Sequence, residues 1–124
     1  MSTIKANTLL AADGTSTTQP SIPALDTRFA KAWVNFNGTG VVAIRDSYNV
    51  SSITDSSTGQ YIINFTNNLA NANFAVAAFA GRNATPLVAG YANTRSVSSL
   101  TIATGTTSFV LTDVDSICTV IFGN

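Results

Sequence analysis

At 124 residues the chain has room for a single domain with a core of modest size. Six basic and six acidic residues cancel, so no long-range field draws it to nucleic acid or to an anionic membrane. It contains no His, and all six acids are Asp; the commonest general base and the commonest neutral metal ligand are missing, and a Ser/His/Asp or Cys/His site cannot be built within one chain.

In chain order, Met1-Ser2-Thr3-Ile4-Lys5 opens no apolar run of signal-peptide length, and nowhere do the ~20 consecutive apolar residues of a membrane helix occur. The expectation is a protein made in a cytoplasm, without membrane insertion, that stays soluble or joins a particle there. Residues 1–29 hold Gly14-Thr15-Ser16-Thr17-Thr18-Gln19-Pro20 and a second proline at Pro23, a composition that favours extended or turning backbone. Ile4, Leu9, Leu10, Ile22 and Leu25 punctuate this arm too sparsely for a core of its own. Such an arm orders by lying against something else, and these five aliphatics are its candidate anchors.

Residues 30–124 read as one domain of short strands. Segments 30–36, 41–53, 60–66, 73–81, 87–92, 96–103, 107–112 and 116–122 are rich in Val, Ile, Phe, Tyr and Thr. Between them stand Asn37-Gly38-Thr39-Gly40, Asn67-Asn68, Gly81 to Pro86, Asn93-Thr94-Arg95 and Asp113, residues that accept a left-handed or pre-bent backbone. This spacing predicts an all-β fold: an antiparallel β-sandwich or jelly roll of about eight strands.

Alternation assigns faces. Tyr61, Ile63 and Phe65 share one side of their strand, and Ala32, Val34 and Phe36 one side of theirs, which puts Trp33 on the opposite face with Lys31 and Asn35. Phe74 to Ala80 is apolar on both faces, the pattern of a subunit interface when the outer side of a sandwich would otherwise be wet. Trp33, Phe74, Val76 and Phe79 are therefore the candidate oligomer contacts. Charged residues make up 10% of the chain against roughly 25% in an ordinary soluble domain. A surface so weakly charged tends to associate, which also points to an oligomer. The lone cysteine, Cys118, excludes an intrachain disulfide and alternates with Val120 and Phe122, so it is expected to be a packing residue in apolar surroundings.

Ala30-Lys31-Ala32-Trp33-Val34-Asn35-Phe36-Asn37-Gly38-Thr39-Gly40, followed by Val42 to Asp55, resembles the conserved block of phage tail-fibre proteins, including those of cyanophages. The likeness continues through Gly59 to Phe65 and returns at Val120-Ile121-Phe122-Gly123-Asn124, while residues 67–116 match only as generic strands. The arm, with Met1 to Asn7, also resembles the start of such short fibres. The resemblance implies a virion protein: a homotrimeric β-structure that attaches to other virion proteins through its N-terminal part and presents the rest to a host cell-surface glycan or protein. No repetitive shaft lies between arm and domain, which keeps a capsid decoration, cement or baseplate-attached role as the alternative.

Chemistry has little to work with. Two-carboxylate glycoside hydrolysis would have to draw on Asp13, Asp26, Asp46, Asp55, Asp113 or Asp115, and only an Asp site shared between subunits keeps a polysaccharide depolymerase in view. Asp113 and Asp115 are too few oxygens for Ca²⁺ unless loops or a threefold axis supply more. No metal, cofactor or catalytic residue is expected. With strands running alternately up and down, the connections at 37–40, 67–72, 93–95 and 113–115 should share the end opposite the arm, with those at 55–59, 82–86 and 104–106 at the arm's end. That makes Asn37, Thr39, Asn67, Asn68, Asn71, Asn93, Arg95, Asp113 and Asp115 the candidate receptor-binding residues, since amides and a few charges suit sugar hydroxyls. One further reversal within 41–53, near Asp46-Ser47, would exchange the ends.

Overall fold

Period-two alternation sets the strands, and the residues that break it set the topology. The computed structural model describes residues 2–15, 20–81, 92–108 and 110–123. Its strands are β1 (Ala30–Asn37), β2 (Ala43–Tyr48), β3 (Val50–Ser57), β4 (Gln60–Phe65), β5 (Ala75–Gly81), β6 (Ala92–Arg95), β7 (Ser99–Ala103) and β8 (Ser116–Phe122). They form two antiparallel four-stranded sheets, β2-β1-β8-β5 and β3-β4-β7-β6, packed as a sandwich. The expected all-β class is what the chain adopts.

The inner faces are those that alternation selects. Ala32, Val34 and Phe36 of β1 and Ile117 and Ile121 of β8 meet Tyr61, Ile63 and Phe65 of β4 and Leu100 and Ile102 of β7, all of them buried. Two edge-to-face ring pairs join the layers, Phe36–Tyr61 at 5.3 Å and Phe65–Phe74 at 6.0 Å between centroids. Thr119 also points inward from β8, and its buried Oγ1 has no hydrogen-bond partner among the described residues.

Segment 41–53 is not one strand. It divides at Asn49, where the backbone turns left-handed (φ 55°) between β2 of the first sheet and β3 of the second. Asn is among the few residues with a side chain that visit this region readily. Its side chain then ties the corner down. Nδ2 donates to the Lys31 carbonyl at 3.0 Å and to the Asn67 carbonyl at 3.1 Å, and Oδ1 accepts from the Asn67 N–H at 2.8 Å. The reversal lies three residues beyond Asp46 and exchanges the ends expected for 55–59, 67–72 and 104–106. The connection at 37–40 precedes it and keeps its end, as does 113–115, because the described residues of 107–112 form no strand to carry the chain back. Loops 38–42, 58–59 and 104–115 sit together away from the arm, while Asn49, loop 66–74 and loop 96–98 lie at the arm's end.

Two other expectations are corrected, and Cys118 takes a definite side. The described residues of 107–112 form no strand, only a bridge between Gly105 and Leu111, because Thr107 and Ser108 turn. Asn93-Thr94-Arg95 is no connection but part of the edge strand β6. Cys118 faces outward from β8 with Val120 and Phe122, half-buried, because Ile117, Thr119 and Ile121 take the core side. The expected strand 87–92 and the turn at 82–86 lie outside the described residues, save for Ala92 at the start of β6.

Candidate functional site

The end away from the arm is a closed polar knot. Tyr61 is buried, and its hydroxyl lies 2.9 Å from the Gly38 carbonyl and 3.0 Å from Asp113 Oδ1, with one proton to donate between them. The same carboxylate oxygen accepts from the Gly59 N–H at 2.6 Å. Burial raises the Tyr61 phenol well above its ordinary value, reinforced by the hydrogen bond and negative charge of Asp113. Glycine is required at both backbone partners. A Cβ on Gly38 would meet the Tyr61 hydroxyl oxygen at 2.5 Å, and Gly59 (φ 66°) would bring one within 2.5 Å of the Thr104 carbonyl.

Four of the expected receptor residues belong to this end, and most of their polar groups already have partners. Asn37 closes its own turn, with Nδ2 donating to the Thr39 carbonyl and Oδ1 accepting from the Thr39 N–H and hydroxyl. Asp113 holds Tyr61 and Gly59, and the Asp115 carbonyl accepts from Arg45. Arg45 reaches it from a β-bulge, where it is the extra residue of β2 opposite Asn35 and Phe36. It also donates to the Asn35 side chain and the Phe36 carbonyl.

The arm's end carries the rest: Asn67, Asn68 and Asn71 in loop 66–74, with Arg95 exposed where β6 finishes and Asn93 earlier in the same strand. Asn71 Oδ1 accepts from the Asn73 N–H, a local turn. Asn67 and Asn68 instead line a shallow, open cleft of about 360 Å³, to which Asp26, Lys31 and Tyr48 also contribute. The loop that presents them is pinned on both flanks, by Asn49 at Asn67 and by the Leu69 N–H donating to the Val97 carbonyl at 2.8 Å. Side-chain partnerships are few here. Among the described residues the side chains of Lys31, Tyr48, Asn67 and Asn68 make no hydrogen bond, and Asp26 accepts only long ones from its own turn, at 3.3 and 3.4 Å.

A second, apolar trough of about 450 Å³ lies beside the cleft, where Leu9 and Ile22 of the arm approach Phe29, Trp33 and Tyr48. Arm anchors and the expected interface tryptophan thus come together within one chain. Leu25 is half-buried in the hydrogen-bonded turn that ends the arm, whereas Ile4 is 93% exposed and Leu10 is also exposed. Of the other interface candidates, Phe74 is instead a core residue, packed on Phe65 because the chain turns inward before β5. Val76 leans on the core from the inner face of β5, and Phe79 stands on the outer face, 72% exposed.

Sequence reasoning missed Lys31, Tyr48 and Asp26 as neighbours of Asn67 and Asn68. They come from three separate segments, and only the corner at Asn49 gathers them. No set of three or more His, Cys, Asp or Glu side chains that could hold a metal occurs among the described residues, and they form no helix long and apolar enough to cross a membrane. No family model, curated protein or solved structure matches the chain.

Proposed function

We propose that this chain is a non-catalytic structural and receptor-binding subunit of a phage virion, a short tail-fibre-type protein that works as a homotrimer and attaches through its arm. The observation that carries the reading is the outer face of the β2-β1-β8-β5 sheet. Trp33, Val120 and Ala77 stand in register across β1, β8 and β5, with Cys118 beside Phe79 in the next outward row and Phe122 beside Ala75. Every one of these side chains is on the side away from the core, and Phe79 is largely bare. A contiguous apolar field of this kind on the solvent side of a sandwich is what a subunit seam requires. The arm's exposed Ile4 and Leu10 supply the apolar contacts with which an anchor docks to another virion protein, each contributing roughly 1.5–3 kcal/mol once buried. The family resemblance of residues 30–66 supports the same assignment.

Two measurements test it. Light scattering at micromolar concentration should return three times the chain mass, and a monomer would overturn the oligomeric part. Immunogold labelling of virions should place the protein on the tail; label over the capsid shell would favour the decoration role, and virions without label would remove the virion reading.

A further inference from the structure

We propose that the cleft between the arm's turn and the Asn49 corner is a binding site for a neutral sugar unit. The inference rests on the receptor-binding reading and deepens it, moving the recognition surface to the arm's end of the domain.

The chemistry of the walls selects the ligand. Tyr48 stands between the polar cleft and the apolar trough and lines both, so its ring is a flat apolar surface set against hydrogen-bonding groups. That pairing matches a pyranose, whose C–H face is apolar and whose rim is hydroxyl. Asn67 and Asn68 each offer an acceptor oxygen and two donor protons, the capacity needed for hydroxyls that both give and take a proton. Lys31 adds donors and Asp26 adds acceptors to the same lining, and no ion pair joins the two. One ammonium and one carboxylate in the lining leave no net charge to attract an anion, which is why the ligand is neutral. The amides of Asn67 and Asn68 are unclaimed within the chain, while the Asn49 side chain beside them is fully used to hold the backbone in place. Because the loop backbone is already tied, binding has to order only the two side chains and not the loop itself.

The site also needs the arm. Pro20, Ser21 and Asp26 form one wall of the cleft, while Leu9 and Ile22 sit in the trough behind Tyr48. Arm position and ligand binding are thereby linked: a displaced arm opens the cleft.

The test uses the full-length chain, labelled with ¹⁵N and titrated separately with glucose, galactose, mannose, rhamnose and glucuronate. With at least one neutral sugar, the side-chain amide resonances of Asn67 and Asn68 should shift saturably, with the backbone resonances of Asn67 to Ala70. Tyr48→Ala and Asn68→Ala should each weaken that binding about tenfold or more. Asn68 is exposed and unpartnered, so its variant keeps the fold and guards against loss of binding by unfolding. Neutral sugars that leave these resonances unmoved, or that bind Asn68→Ala and Tyr48→Ala as tightly as wild type, overturn the proposal. Preferential binding of glucuronate overturns the neutral class. Saturable sugar binding by a protein absent from virions would keep the cleft and discard the virion reading; adsorption to host cells through the protein with no sugar response would do the reverse.

Discussion

Asn49 is the residue on which the topology turns, and its replacement gives a quantitative test. Asn49→Ala removes three side-chain hydrogen bonds, at 3.0, 3.1 and 2.8 Å, and leaves the Lys31 and Asn67 carbonyls and the Asn67 N–H without these partners. Each such bond contributes about 1 kcal/mol net, less where water can take its place, as it can at exposed Asn67. Alanine must also hold the left-handed backbone at φ 55°, which costs about 1 kcal/mol more. The expected loss is about 2–4 kcal/mol, a fall in Tm of about 8–15 °C for a domain of this size. Asn49→Gly loses the same hydrogen bonds but takes up the backbone conformation freely, so it should be milder than Asn49→Ala by about 1 kcal/mol. Urea unfolding followed by Trp33 fluorescence, at fixed protein concentration because association also shifts stability, measures both. An alanine variant within about 0.5 kcal/mol of wild type would refute the role of the corner, since surface substitutions alone fall in that range. A glycine variant worse than alanine would refute the backbone half of the argument.

Tyr61→Phe should lower stability by about 2 kcal/mol in the same assay, since it removes a buried hydroxyl hydrogen-bonded to the carboxylate of Asp113. Because folding favours the protonated phenol, wild-type stability should hold at pH values below the ordinary tyrosine pKa of about 10 and fall as the pH rises beyond it. The Tyr61→Phe profile should lack that fall, and parallel profiles would assign it elsewhere. Thr119→Val replaces an orphaned buried hydroxyl with a methyl of similar shape and should raise stability by about 1 kcal/mol in thermal unfolding. A decrease would mean that the hydroxyl is satisfied in solution. Phe79→Asp places a charge in the outer apolar row and should shift light scattering towards the monomer while leaving circular dichroism unchanged, since Phe79 is 72% exposed. An intact oligomer would move the seam off this sheet.

By itself the sequence determined the fold class, the start of β1 beside Phe29, and which side chains of β1 and β4 share a face. Those features are local: alternation with period two places Val34 and Phe36, and Tyr61 and Ile63, on single faces whichever strands become their neighbours. The same logic put Trp33 outside and found the two-faced strand that ends in β5. Tertiary structure decided the rest. Whether Asn49 continued a strand or reversed it depended on the partners its side chain would find at Lys31 and Asn67, eighteen residues away on either side. That single reversal assigned loops to ends, so Asn67 and Asn68 joined Lys31 and Tyr48 instead of Asn37 and Asp113. Asp113 shows the same dependence: its turn is written locally, but its Oδ1 meets Gly59 and Tyr61 only because β4 and the approach to β8 converge at one end of the sandwich. Pairing energy between distant segments, absent from any short window of sequence, is what turned scattered amides and aromatics into a cleft.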